Sequence, residues 1–175
     1  MDSNTTSQDA QKKAKPLTPK VNELIASTKS VILATMDSEG KPTASYAPYV
    51  RVGNTFYVLV SFMAKHTKNL LNGQASVMFI EDESATKQIY ARERLTFDTV
   101  TSQVERDSEL WNQVLPQLKE AHGKVLDILS EMQDFILIQL NPTKGNYVNG
   151  FGSAYIVDEN MEIVQHRNDV NHQTK

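Results

Sequence analysis

Residues 88–104 read QIYARERLTFDTVTSQV. Strand side chains point alternately to opposite faces. Arg92, Arg94, Thr96 and Asp98 are therefore expected on one side, and Leu95 and Phe97 on the other. A run of this length and period commits the chain to a sheet, and neighbouring segments must supply its partners.

They do so as a meander. SVILATM is β-branched and apolar, and DSEGKP follows as a turn in which Gly40 takes positive φ. TASYAPYVRV alternates, with Pro48 tolerable only at an edge or bulge. Gly53-Asn54 is a hairpin signal, and TFYVLVS is the returning strand. QASVMFIED and QDFILIQL are further strands. Asn141-Pro142 to Gly145 is expected to be a turn, and NYVNGFGSAYIV a bent or broken strand. Short helices are inserted rather than alternating with the strands. They cover Lys20–Ser27, FMAKHTKNLLNG ending at Gly73, a stripe of Leu110, Trp111, Val114, Leu115 and Leu118, and a second stripe through Met132. Pro116 is expected to kink or end the third of these. This order excludes a doubly wound parallel sheet and predicts an α+β, mainly antiparallel fold, a small β-barrel with helical excursions.

The 175 residues fit one domain. Residues 1–18 are expected to be a disordered arm, 19–160 the barrel, and 161–175 a flexible C-terminal segment. Zero cysteines exclude disulfides, thiolate metal sites and a cysteine nucleophile. The uncharged run Val52–Ala64 is far short of the ~18 apolar residues of a membrane helix. The first residues show no secretory leader, so a cytoplasmic protein is expected. Net charge −3 and pI ≈ 5.8 give no general attraction to nucleic acid.

Phosphate-loop, His-Glu-x-x-His and Gly-x-Ser-x-Gly signatures are absent, and GFGSAY has Tyr155 where a dinucleotide fingerprint needs its third glycine. Other residues carry more. Arg92 and Arg94, two apart on a strand, would project heads about 6–7 Å apart, suited to a phosphate or paired carboxylates. The alternative is a solvated face laced to Glu93, Asp98 or Glu81–Glu83. Lys65, His66, Lys68 and Asn69 surround a helix start, either as an anion cradle or as a solvated basic end. His122, beside Gly123, reads as a helix-end residue. Asp134 shares strand parity with Ile136, Ile138 and Leu140, so its carboxylate needs a partner: an arginine, a backbone amide, or a histidine. The end of the chain, VQHRNDVNHQTK, holds His166 and His172. Ordering it costs about 1–2 kcal/mol per residue, with few apolar side chains to offset that.

Taken together, SYAPYV, AKHTKNL, IEDE, ARERLTFD, ERDSELW, QDFILIQL and GFGSAY resemble, in order and spacing, the HutZ/HugZ-type haem-degrading proteins. The resemblance runs from about Ser30 to the C-terminus. It implies the FMN-binding split β-barrel of pyridoxamine-phosphate oxidase relatives and a homodimer holding haem at its interface. It also implies oxidative opening of the porphyrin to a biliverdin-type product with iron release, using O₂, an external electron donor and, as a further partner, a haem-delivery protein. By position the iron ligand falls on His172, with His166 in reserve, and the aspartate bonding that imidazole from the other subunit falls on Asp134. The arginine tuning haem oxidation falls on Arg94, and His66 matches a family histidine of less defined role. Two other readings stand beside it. In an FMN-dependent oxidase or reductase, Arg94 and the Lys65–Lys68 cradle would grip the flavin phosphate. A haem carrier or store would share the ligand without turnover.

Overall fold

The computed structural model describes residues 17–167. A helix, α1 (Thr18–Ser27), leads into β1 (Ser30–Met36), β2 (Pro42–Pro48), β3 (Val50–Val52) and β4 (Thr55–Ser61). Helix α2 (Lys65–Leu70) precedes β5 (Gln74–Ile80), a 3₁₀ turn at Ile89–Ala91 and β6 (Arg94–Val104). Helices α3 (Glu109–His122) and α4 (Val125–Leu129) are followed by β7 (Phe135–Val148), β8 (Ala154–Asp158) and β9 (Ile163–His166). All pairings are antiparallel, in the order β2-β1-β5-β6-β7-β4-β3, and β8 and β9 extend from β7. The fold is the expected split barrel.

The alternation is realised side by side across the sheet. Val31, Leu33, Val77, Phe79, Leu95, Phe97 and Tyr147 point inward and are buried around Phe56 and Tyr49. The opposite face carries a row in register across the strands: Tyr46, Ile32, Met78, Thr96, Asn146 and Ile156. Tyr46 in that row is 67% exposed. A second apolar cluster packs Trp111, Val114 and Leu118 of α3 against Tyr57, Leu59 and Leu137. That packing carries α3 past Pro116 to His122, so the helix does not end at the proline.

Two further differences have clear causes. The Pro142 region is no turn, because β7 runs unbroken through it. Residues 135–140 pair with β4 and residues 144–148 with β8, so Asn141–Thr143 lie where one partner has ended and the next has not begun. Proline has no N–H to give a ladder, and this is the place on the strand where that omission costs least. The C-terminal segment is also not free from residue 161, since Ile163–His166 form β9 against β8. Buried Met161 and Ile163 supply apolar contact there, and a turn around Asp158 closes the hairpin.

Candidate functional site

The predicted residues fall into two groups at opposite ends of β7. The first is centred on Asp134, immediately before that strand. Its carboxylate accepts a hydrogen bond from Ser61 Oγ at 2.8 Å, and its carbonyl accepts Phe62 N at 2.6 Å. Ser61 thus answers the need for a partner, and neither arginine nor histidine does so within the described residues. Ser61 Oγ also accepts from Met63 N at 3.2 Å, and Thr67 of α2 donates to the Ser61 carbonyl at 2.6 Å. The aspartate, the 61–64 turn and the start of α2 are therefore one hydrogen-bonded corner. It presents Phe62, Met63 and Met132 to solvent, Met63 at 85% exposure. Isolated exposed apolar residues are ordinary, but three around one carboxylate form a surface suited to a flat apolar ligand.

Helix α2 carries the expected basic residues on that corner. Lys65 Nζ lies 3.6 Å from Asp37 Oδ2. The Asp37 carboxyl is held below its ordinary range, first by the Lys41 backbone amide, with Lys65 a smaller contributor. Lys68 is exposed. His66 is half-buried, its ring makes no hydrogen bond among the described residues, and burial lowers its pKa below the usual imidazole value. Asn69 is structural: buried, it donates to Thr35 Oγ1 at 3.0 Å, and Thr35 donates to the Thr43 carbonyl at 3.5 Å. Strand β2, which α2 packs against, holds two buried hydroxyls without partners among the described residues, Thr43 Oγ1 and Ser45 Oγ. The exposed lysines and the half-buried imidazole of α2 are the groups on this corner suited to a small oxyanion such as the phosphate of FMN.

The second group holds the arginines. Arg92 and Arg94 do not share a strand face. Strand β5 ends at Ile80, which pairs with Arg94, and the last backbone bond of this ladder runs from Glu81 N to the Glu93 carbonyl, so Arg92 lies beyond it. Arg92 turns instead to the Glu81 carbonyl, donating from Nε at 3.1 Å and Nη2 at 2.5 Å. Arg94 Nη1 donates to the Arg92 carbonyl at 3.1 Å, and neither guanidinium makes a salt bridge among the described residues. Arg92 and Glu93 line a cleft of about 800 Å³ together with Lys20, Glu23, Ile32 and Met78. Behind it Tyr147, fully buried, donates its hydroxyl to Glu93 Oε1. Ser61 and Tyr147 were not singled out by the sequence, and Glu93 only as an ion-pair partner for the arginines. Their partners lie 73 and 54 positions away, and no local pattern reports such a contact.

The described chain also ends at this second group. Val148 at the end of β7 pairs with both Arg94 and Ala154, and Arg167 N donates to the Ala154 carbonyl at 2.7 Å. His166 lies one position back, its ring 4.8 Å from that of Tyr155, with Nε2 3.2 Å from the Gly152 carbonyl. His172 lies outside the described residues. His122 Nε2 is 2.9 Å from the carbonyl of Tyr49, the residue between β2 and β3, tying the end of α3 to that link as expected of a helix-end residue.

Among known families, Pyridoxamine 5'-phosphate oxidase matches residues 17–149. Heme oxygenase HutZ of Vibrio cholerae is 50% identical over 142 residues, 81% of each chain. A crystal structure of HutZ from Vibrio cholerae, there called a heme storage protein, has a TM-score of 0.72 at 46% identity, covering 75% of this chain and 94% of that one. Campylobacter jejuni ChuZ has a TM-score of 0.78 at 31% identity, covering 87% of this chain and 62% of its own.

Proposed function

The chain belongs to the pyridoxamine 5'-phosphate oxidase family and, within it, to the HutZ-type haem proteins, and on that footing we propose that it is a haem-degrading enzyme with a site shared between two subunits. Haem is its substrate as well as its cofactor. The relatives support a function in haem handling. The finer reading is opening of the porphyrin to a biliverdin-type product with iron release, in a cytoplasmic homodimer fed by O₂, an external electron donor and a haem-delivery partner.

One observation carries the shared site. Asp134 precedes the first residue of a 14-residue strand, and Arg94 pairs with the last. At about 3.3 Å per residue the two ends lie roughly 40 Å apart along the strand. His172 follows Arg167 by five residues, a reach of at most about 17 Å from the Arg94 end. That separation along the strand supports a haem site that takes His172 and Arg94 from one subunit and Asp134 from the other. The outward row of Tyr46, Ile32, Met78 and Ile156 supplies apolar surface for such a pairing.

In this reading His172 ligates the iron and donates its other N–H to Asp134, whose carboxylate makes the imidazole a stronger donor. Ser61 orients that carboxylate, while exposed Phe62, Met63 and Met132 would offer apolar surface to the macrocycle. Arg94 presents positive charge to haem, and His66 adds a neutral imidazole to the α2 corner. His166 retains Nδ1 as a reserve ligand, its Nε2 being engaged. The macrocycle supplies the redox chemistry; the protein supplies ligation, orientation and electrostatics.

Haem titration of the purified protein tests the reading. A Soret band lost in His172→Ala is expected, and ascorbate under air should bleach it. A band that persists under ascorbate marks a carrier or store. The pyridoxamine 5'-phosphate oxidase match supports a second reading, an FMN-dependent oxidase or reductase whose flavin phosphate would be gripped by Arg94 and the Lys65–Lys68 cradle. A yellow protein with flavin bands on purification would establish it and remove the haem reading.

A further inference from the structure

Glu93 lies between Arg92 and Arg94 in sequence, yet it makes a salt bridge with neither among the described residues. Its carboxylate is engaged from the interior. Tyr147, at 0% exposure, directs its hydroxyl to Glu93 Oε1. Burial raises the phenol's pKa first, and the bond to Glu93 raises it further, so the phenol remains a donor across the working pH range. The backbone holds the same arrangement, with Glu81 N donating to the Glu93 carbonyl at 2.9 Å. Glu93 lies one residue before β6 begins at Arg94, next to that arginine in the chain and outside the strand's alternation.

We propose that Tyr147 sequesters the Glu93 carboxylate, and that this keeps Arg94 an uncompensated cation. The chemistry is that of competing partners. A half-buried carboxylate needs a donor. Without the phenol, its alternatives include the guanidinium groups on the residues either side of it, whose charge-assisted bonds to a carboxylate are strong. Once taken by Glu93, Arg94 would no longer offer net positive charge to an anionic or electron-rich ligand. Tyr147 is thus a positioning residue acting through Glu93, and its functional consequence rests on the reading that Arg94 serves haem.

The test uses the full chain and two readouts. In the haem-free protein, the Arg94 Nε–H resonance is followed by nitrogen-15 NMR. In the haem-loaded protein, degradation under ascorbate is timed. In Tyr147→Phe the Arg94 resonance should shift, and degradation should slow about tenfold with haem affinity within about twofold of wild type. In the double variant Tyr147→Phe/Glu93→Gln the neutral amide cannot compensate the arginine, so both readouts should return close to wild type. Should Tyr147→Phe not fold, Glu93→Asp, too short to reach the phenol, should give the same Arg94 shift. An Arg94 resonance unmoved in the single variant, or a double variant as slow as the single one, overturns the proposal. A resonance that moves and returns, in a protein that never degrades haem, upholds sequestration and removes the haem-degradation reading instead.

Discussion

Asp134 and Arg94 are joined by one strand and kept apart by it, with Phe135 next to the first and Val148 paired with the second. Within one protomer the whole length of β7 separates them along the chain.

Complementation between two damaged proteins follows directly. Arg94→Ala and Asp134→Asn should each lose most haem turnover as homodimers. Co-expressed with different tags at equal levels, they should form heterodimers as about half of the population, each with one intact site of two. About a quarter of wild-type turnover is then expected, and purified heterodimers without any recovered activity would refute the shared site.

Asp134→Asn by itself should retain haem binding by Soret titration while degradation falls about 10–100-fold, the usual range when a ligand's hydrogen-bond partner is lost. Ser61→Ala removes the hydroxyl that orients this carboxylate. A smaller fall in turnover is expected, with a stability loss of about 1 kcal/mol in urea melts. Unchanged rates in both variants would leave Asp134 with no part in the chemistry.

Gly145 pairs with Phe97, and a Cβ at that position would lie 2.6 Å from the Phe97 ring. Phe97 is fully buried and has no empty space to enter. Gly145→Ala should destabilise the fold by about 1–3 kcal/mol in denaturant unfolding. A wild-type midpoint would mean that β6 and β7 are less closely apposed than described.

His66 sets a pH dependence whose sign is fixed by its burial. The folded protein lowers this pKa, so the unfolded chain, with an ordinary value near 6.5, takes up the proton first as pH falls. The stability of the neutral state is present above about pH 6.5 and is lost as pH falls through the lowered folded value. The acid side of a stability–pH curve, measured by urea melts between about pH 7 and 5, should be shallower in His66→Gln than in wild type. Parallel curves would show that the imidazole titrates alike in both states.

The strands were legible because burial on one face writes itself into every second residue, as at Leu95 and Phe97. What was misread depends on partners remote in sequence. Asn141-Pro142 has the local chemistry of a turn, and only the change from β4 to β8 alongside it lets the strand continue. Arg92 has the parity of a strand residue, but the ladder with β5 makes its last backbone bond between Glu81 and Glu93, one position short of it. At the site, family resemblance named Asp134 and Arg94, while the groups that hold their surroundings, Ser61, Glu93 and Tyr147, emerge only once the chain is folded.

The way β7 joins the sheet has a consequence for the order of assembly. Among the described residues the β3–β4 hairpin, residues 50–61, meets the rest of the ladder only through β7, residues 135–148. On a ribosome it emerges early and has no place in the sheet for some seventy further residues, with the edge that β7 will cover exposed in the interval. Closure waits for a late, central strand, so this barrel should fold slowly for its size and should most need a chaperone before Phe135 appears.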